Sequence, residues 1–323
     1  MTLAPFRTAP RFVSKPWGGG PGLAACLGRA IEPSIGEAWL VSDVPGEESE
    51  VLDGPYAGHS LREVIAHQGE ALLGKGRHRF PLLIKLLEIR GRLSVQVHPD
   101  AAVAQALGDG ARGKSEAWYL VEAGPQAQVW QGFAEPVAPA ELAALSTSGA
   151  IAERLNRFVP EPGEAVEILP GTFHTAEDVL VLEVQETSDV TYRVYDWGRT
   201  DRALHLEQAT ACLEQLPAEP TQRRVHQGEA TWPVAPRSPF TFEVWQLAAD
   251  EVRQLPEPGF AGALIVLSGE LHLRGGGPER LAQGDALVLP ATCSGLSLHS
   301  VGPARLAYAC ALPAGTRRFK RPG

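Results

Sequence analysis

Apolar and polar residues alternate over short stretches of this chain, and turns rich in glycine and proline separate those stretches. The segment Leu93–His98 shows the clearest alternation, because its three aliphatic residues are spaced two apart. A strand sends alternate residues to opposite faces, so we expect Ser94, Gln96 and His98 to leave one face and the three aliphatic residues to leave the other. Pro99 follows directly and ends the strand, since proline has no N–H to donate to a neighbouring strand.

Other segments have the apolar spacing of helices rather than the alternation of strands. The predicted helical segments are Leu61–Leu73, Ala101–Leu107, Ala140–Phe158 and Leu204–Leu216. The third belongs to an insertion over about residues 137–160, which lies between two predicted strands. We expect this insertion to form a separate lobe that caps the first β unit without interrupting its sheet.

Several predicted strands carry residues that can ligate a metal. Gln96 and His98 share one strand face, Glu116 begins a segment rich in aromatic and β-branched residues, and His174 follows a strand and a Pro-Gly turn. Nitrogen and oxygen ligands without a thiolate fit a catalytic zinc, which keeps a position open for water or substrate. The alternative for His98 alone is a hydrogen-bonded histidine that faces solvent.

A strand, a Pro-Gly turn and a trailing histidine are the pattern of cupins, small jelly rolls (double-stranded β-helices) that hold one metal in the mouth. A second β-rich unit contains the similar Pro290 turn, but Ser294 stands where the first unit has histidine. His272 and His299 of this unit are expected on strand surfaces. The sequence therefore predicts a mainly β fold, a bicupin with small helical insertions. The predicted units are a metal-binding catalytic cupin domain over 1–216, a linker over 217–237 and a metal-free second cupin domain over 238–323.

The chain resembles the type I mannose-6-phosphate isomerases (phosphomannose isomerases) in their short bacterial form. The resemblance covers about the first two thirds of the chain. It rests on the elements Pro16–Gly19, Ile35–Trp39, Phe80–Lys85, Gln96–Asp100, Gly113–Glu116, Gly171–His174 and Leu182–Trp197. The Gln-x-His-Pro-Asp element is the most specific of these, whereas the Trp-Gly-Gly and Gly-Glu-x-Trp elements are weaker alone.

The resemblance implies a ligand set and a catalytic arginine. One zinc ion per chain would be bound by Gln96, His98, Glu116 and His174. The family's catalytic arginine lies five residues beyond the serine of a Ser-Asp pair, and this position is Arg193 here.

Two residues are candidates for the catalytic base. Lys114 is the first, because a nearby metal cation favours the neutral, basic form of an amine. Glu183 is the second. The alternative for Lys114 is that it only binds the phosphate or a hydroxyl group of the substrate, and the alternative for Glu183 is that it only orients Arg193. The longer enzymes of the family have a histidine where this chain has Gly113, so a mechanism that uses that histidine as base is not available. Ser94 and Lys85 are candidate substrate-binding residues.

The resemblance implies interconversion of mannose 6-phosphate and fructose 6-phosphate. A proton leaves the carbon beside a carbonyl and returns to the neighbouring carbon, and an enediolate forms between these steps. Zinc would act as a Lewis acid, and Arg193 would stabilise negative charge without losing its proton. Two histidines and a glutamate also define non-haem iron oxygenases, which Gln96 and the Arg193 motif disfavour. A non-catalytic sugar-phosphate sensor is the third possibility, and the complete ligand set disfavours it.

Composition narrows the possible partners. The chain has 323 residues, 44% hydrophobic content and a net charge of −9, which suits a large core and does not suit nucleic-acid binding. A sugar phosphate needs local positive charge, and the cations near the motifs are Lys85, Arg90, Arg92, Lys114, Arg193 and Arg199. For Arg90 and Arg92 we expect ordinary solvated side chains, and for Arg199 both interpretations remain open.

The remaining features indicate a protein of the cytoplasm. The cysteines are isolated in sequence, so we expect buried, free thiols at Cys26, Cys212, Cys293 and Cys310. No signal-peptide pattern and no apolar segment of membrane-spanning length is seen. We expect a monomer or weak homodimer that interacts neither with membranes nor with nucleic acid.

Overall fold

The computed structural model describes residues 3–108, 112–216, 222–257 and 259–313. The helices of this part are α1 (Gly22–Leu27), α2 (Leu61–Leu73), α3 (Ala101–Leu107), α4 (Leu142–Ser148) and α5 (Leu206–Gln215). None of these helices has the length and apolar character needed to cross a bilayer. The basic residues near the end of the sequence, Arg317, Arg318, Lys320 and Arg321, lie outside the described residues.

Strands dominate the fold, as the sequence predicts. The first ten strands are β1 (Phe6–Thr8), β2 (Arg11–Ser14), β3 (Ile35–Val41), β4 (Leu82–Arg92), β5 (Val95–Val97), β6 (Glu116–Phe133), β7 (Leu155–Phe158), β8 (Glu164–Ile168), β9 (His174–Glu186) and β10 (Tyr192–Tyr195). The others are β11 (Arg223–Val225), β12 (Thr231–Pro233), β13 (Phe240–Leu247), β14 (Val252–Gln254), β15 (Gly262–Ser268), β16 (Glu270–Arg274), β17 (Arg280–Ala282), β18 (Ala286–Leu289), β19 (Ser297–Ser300) and β20 (Ala304–Ala311).

The N-terminal unit is built on one antiparallel sheet in the order β11-β8-β6-β9-β4-β3-β2. The short strand β5 pairs with both β9 and β10, and β7 pairs with the far end of β6. Strand β9 is central, because it joins β4 and β6 along most of its length. Residues from β5, β6 and β9 therefore meet within one hydrogen-bonded sheet.

The C-terminal unit consists of two facing sheets. The six-stranded sheet has the order β1-β18-β15-β20-β13-β12, and the four-stranded sheet has the order β14-β19-β16-β17. A leucine-rich core from both sheets fills the space between them. His272 and His299 lie opposite each other on the outer side of the four-stranded sheet, and Ser294 lies in an exposed turn.

The two units share a second, larger core. Phe242 and Val244 of β13 point away from the leucine-rich core and pack with Leu40 of β3 and Leu86 of β4. Strand β1 comes from the N-terminal segment yet pairs with β18 of the C-terminal unit. The apolar contact and the pairing of β1 with β18 both hold the units together.

The helix predictions are confirmed in three of four segments, since α2 and α3 have the predicted bounds and α5 lies within Leu204–Leu216. The prediction of a helix over Ala140–Phe158 is wrong in its second half, where a 3-10 turn leads into β7. Gly149 ends α4 with φ of 79°, in the left-handed region that favours glycine. The strand that follows extends the edge of the sheet.

Two further sequence predictions concern the cysteines and the position of Leu93. All four cysteines are free, and three are buried, whereas Cys293 is only half-buried. The prediction that Leu93 shares a face with Val95 and Val97 is wrong. Strand β5 begins after it, so Leu93 packs with Trp17 inside the N-terminal unit, while the two valines pack under the helices.

Candidate active site

Three strands bring His98, Glu116 and His174 together. His98 follows β5 directly, and the other two are the first residues of β6 and β9. All three are buried, and their ligand atoms lie within 4.8 Å of one another. His98 Nε2 lies 3.3 Å from Glu116 Oε2, and His174 Nε2 lies 3.1 Å from Glu116 Oε1. This is the single such cluster of potential metal ligands in the part of the chain that the structure describes.

The turn before β9 sets the orientation of His174. Gly171 has φ of 84°, and its N–H donates to the carbonyl of His98 at 2.9 Å. A side chain at Gly171 would collide with Leu216, because the Cβ atom of Leu216 lies 2.6 Å from the place that an added Cβ would occupy. His174 Nδ1 lies 2.9 Å from the Thr172 carbonyl, which assigns the proton to Nδ1. Nε2 is then the unprotonated atom that faces the cluster.

The electrostatics of this cluster suit a bound cation. Burial, followed by the charge of Lys114, lowers the pKa of His98 to about 3, so its ring is neutral near pH 7. Burial opposes ionisation of Glu116, but Lys114 and His98 favour the carboxylate more strongly, and its pKa lies well below the usual value. The buried Glu116 carboxylate lies 2.8 Å from Lys114 Nζ and beside both histidine rings. A buried charge is costly unless it is compensated, and the carboxylate with the two imidazole rings beside it forms a donor set for a metal.

Gln96 adjoins the three clustered residues. It lies opposite His174 in the pairing of β5 with β9, and its amide nitrogen lies 3.0 Å from His174 Nε2. The two side chains therefore meet at the same edge of the cluster.

A cavity of about 240 Å³ opens beside the cluster. Its lining includes six residues that the sequence singled out: Lys85, Ser94, Gln96, Lys114, Glu183 and Arg193. Lys114 lies at the junction, because its Nζ is 2.8 Å from Glu116 Oε2 and 3.4 Å from His98 Nε2. The candidate base and the candidate ligands are thus in direct contact.

A row of directly paired residues, of which Lys85 and Glu183 line the cavity, forms a wall beside it. Across β3, β4, β9 and β6, Trp39 pairs with Lys85, Lys85 with Glu183, and Glu183 with Trp118. Lys85 Nζ lies 4.3 Å from the centre of the Trp39 ring and 3.8 Å from Glu183 Oε1. Trp118 Nε1 donates to Glu183 Oε2 at 2.9 Å. This wall holds Glu183 in place from both sides.

The two ionisable groups of that wall have shifted pKa values. Burial opposes the charge of Lys85, but the surrounding carboxylates, with Glu37 the strongest, raise its pKa. Burial raises the pKa of Glu183, and the charge of Glu116 raises it further. Lys85 therefore remains a cation, whereas Glu183 is more basic than an ordinary glutamate.

Several other residues line the cavity that were not among the candidates from the sequence. These are Lys15, Trp17, Glu37, Leu87, Leu93, Asp189, Thr191 and Arg202. Lys15 precedes the Trp-Gly-Gly element, and Glu37 and Asp189 lie within elements that carried the family resemblance, so a signal was present for these three. Arg202 has no such signal, because it lies in a loop after β10.

The other cations near the motifs lie outside this cavity. Arg90 forms ion pairs with Glu88, Glu122 and Asp178. Arg92 pairs with Glu177. Arg199 pairs with Asp196 at 2.5 Å.

Comparison with known proteins decides the family. The model of the phosphomannose isomerase type I catalytic domain matches residues 6–117. A mannose-6-phosphate isomerase of Streptococcus mutans is 34% identical over 269 residues, which are 80% of this chain and 84% of that protein. One from Bacillus subtilis is 30% identical over 301 residues, 90% of this chain and 94% of that protein. The chain belongs to the type I phosphomannose isomerase family.

Solved structures of mannose-6-phosphate isomerases share the fold. A crystal structure of the Bacillus subtilis enzyme has a TM-score of 0.82 and 28% identity, with coverage of 95% of this chain and 99% of that one. A mannose 6-phosphate isomerase bound with zinc and yttrium has a TM-score of 0.74 and 20% identity, with coverage of 96% and 100%. The predicted mainly β cupin fold and the predicted phosphomannose isomerase family are both confirmed.

Proposed function

We propose that this chain uses one zinc ion to interconvert mannose 6-phosphate and fructose 6-phosphate through an enediolate. The observation that carries the proposal is the buried cluster of His98, Glu116 and His174, because the neighbours that touch it, Lys114 and Gln96, line a cavity together with Arg193. The family relatives, two of which are named mannose-6-phosphate isomerases and match along most of their length, support the same substrate pair.

The ligands of this zinc would be His98, Glu116, His174 and Gln96. Neutral imidazoles, a carboxylate and an amide oxygen suit Zn²⁺ at a catalytic site, and the zinc of a related isomerase structure supports this choice of metal. A zinc ion bound there supplies a Lewis acid that polarises an oxygen of the substrate.

Arg193 is proposed to stabilise the negative charge of the enediolate. Its guanidinium lines the cavity, and its Nε is buried without a hydrogen-bond partner among the described residues. An arginine keeps its proton under these conditions, so Arg193 would present a positive charge to a substrate oxygen that becomes negative. Preorganised donors of this kind act most strongly where charge develops during the reaction.

Lys114 remains the first candidate for the base, and Glu183 the second. Lys114 is buried at the junction of the ligand cluster and the cavity, so it can reach a carbon whose oxygen approaches that cluster. Glu183 also lines the cavity and has a raised pKa, caused by burial and then by Glu116, which makes it a stronger base than an ordinary glutamate. Ser94 and Lys85 would contact substrate hydroxyl groups from the same cavity.

A coupled assay for fructose 6-phosphate, with zinc-loaded protein and mannose 6-phosphate as substrate, tests this function. We expect turnover that a chelator abolishes and added zinc restores. Absence of turnover in protein that contains one zinc per chain would contradict the proposal and favour the sugar-phosphate sensor. Bound iron together with oxygen consumption would instead favour the cupin oxygenase.

A further inference from the structure

The cations that line the cavity differ in how far carboxylates neutralise them. Each lysine faces a carboxylate: Lys15 Nζ lies 3.2 Å from Glu37, Lys85 Nζ lies 3.3 Å from Asp189, and Lys114 Nζ lies 2.8 Å from Glu116. These pairs leave little net positive charge along the lysine side of the cavity.

The arginine side has a different balance. Asp196 is buried, and Arg202 and Arg199 contact its Oδ1 at 2.7 Å and 2.5 Å. Arg193 Nε lies 4.0 Å from the other oxygen. The Asp196 carboxylate therefore faces three guanidinium groups, and even with Asp201, which also acts on Arg193, positive charge exceeds negative charge in this group.

Among these three arginines, Arg202 is held in place by Asp196 and still has a nitrogen that can donate to an anion. Its Nε and Nη2 donate to the two oxygens of Asp196 at 2.9 Å and 2.7 Å. Within the described part of the chain, no contact is seen for its third nitrogen, Nη1. Arg202 lines the cavity, whereas Arg199 does not. Burial and then the charge of Arg202 lower the pKa of Arg193, and Asp196 and Asp201 only partly offset this.

Arg193 and Arg202 are held in position by different parts of the fold. Arg193 pairs directly with Gln96, which places it at the ligand cluster. Arg202 follows β10 by seven residues and is anchored through Asp196 instead. Arg193 therefore lies next to the ligand cluster, whereas Arg202 is held by the loop that follows β10.

We propose that Arg202 binds the phosphate group of the substrate, held in position by Asp196, while Arg193 acts at the reacting carbons. This inference rests on the proposed function, because it assigns one end of the same substrate. A phosphate monoester carries about −1.5 to −2 charges near pH 7, which the two guanidinium groups that line the cavity, those of Arg193 and Arg202, would attract. Guanidinium groups bind phosphate oxygens with directed, charge-assisted hydrogen bonds.

Kinetics of Arg202→Gln with mannose 6-phosphate test the assignment. Loss of a charge-assisted hydrogen bond predicts a rise in KM of roughly tenfold to a hundredfold, with kcat nearly unchanged. Arg92→Gln is the matched control, because it removes the same charge near Arg199 but lies outside the cavity, and its KM should stay close to that of the wild type.

Inorganic phosphate provides a second probe that does not depend on catalysis by the variant. Phosphate should compete with mannose 6-phosphate in the wild type, and calorimetric binding of phosphate to zinc-loaded Arg202→Gln should weaken by about the same factor as KM rises. If Arg202→Gln does not fold, Arg202→Lys is used, with a smaller weakening expected because one cation remains.

The outcomes separate this inference from the isomerase proposal. A wild type that does not produce fructose 6-phosphate refutes the isomerase proposal. A wild type that does, together with unchanged KM and phosphate affinity in either folded Arg202 variant, refutes the assignment of Arg202 and leaves the isomerase proposal standing. Zinc content equal to that of the wild type shows that the ligand cluster is intact.

Discussion

Arg193 lies directly opposite Gln96 in the antiparallel pairing of β10 with β5. Side chains of directly paired residues leave the same face of a sheet, and both line the cavity. Gln96 in turn lies opposite His174. The guanidinium is therefore tied by strand pairing to the edge of the ligand cluster, where the charge of an enediolate would develop.

Replacing Arg193 should impair catalysis more than binding. For Arg193→Ala we expect kcat to fall about a hundredfold to a thousandfold, because a preorganised donor is lost where charge develops. Steady-state kinetics and zinc content of the same sample measure the effect. A higher KM with normal kcat would instead place Arg193 in ground-state binding.

Replacing Lys114 distinguishes a base from a binding residue. For Lys114→Met we expect loss of catalysis at saturating mannose 6-phosphate, since the proton acceptor is removed while its length and burial are largely kept. Metal content should not change. If kcat is normal and KM alone rises, Lys114 binds substrate, and Glu183→Gln becomes the decisive variant for the base.

Replacing His174 should remove the metal. His174→Ala deletes a ligand that a backbone carbonyl orients, so zinc measured after dialysis should fall well below one ion per chain, and activity should be lost with it. His299→Ala is the control, because His299 lies on the outer face of the C-terminal unit, and its zinc content should equal that of the wild type. Full occupancy in His174→Ala would contradict this ligand assignment.

The shared core between the units should contribute strongly to stability. Phe242 is 1% exposed within that core, so Phe242→Ala should lower the free energy of unfolding by about 3–5 kcal/mol. Val252→Ala, at a half-exposed strand position, should change it by less than about 0.5 kcal/mol. Denaturant titration measures both variants. Equal stabilities would show that the units are independent rather than joined through this core.

The sequence predicted the parts of the site that depend on local geometry. Gln96 and His98 lie on one face because strand alternation is a property of a few neighbouring residues, and His174 follows the predicted turn. The prediction failed for Leu93, since β5 begins later than the alternation suggests. It also failed where Gly149 ends α4 and the chain turns into β7.

Residues brought in by distant packing could not be predicted in this way. Lys15 reaches the cavity through its ion pair with Glu37, 22 positions later in the sequence. Arg202 depends on a loop that folds back onto Asp196. The spacing of Asp196, Arg199 and Arg202 at intervals of three residues was the available signal, but it indicates an ion-pair cluster rather than a position beside a cavity.

Zinc titration of metal-free protein, with bound metal and mannose 6-phosphate isomerisation measured in the same samples, tests the central claim most directly. One ligand cluster is found among the described residues, so fructose 6-phosphate production should rise in proportion to bound zinc and reach its maximum at one ion per chain. Full activity in protein without a divalent metal, or no activity at one zinc per chain, would contradict the account.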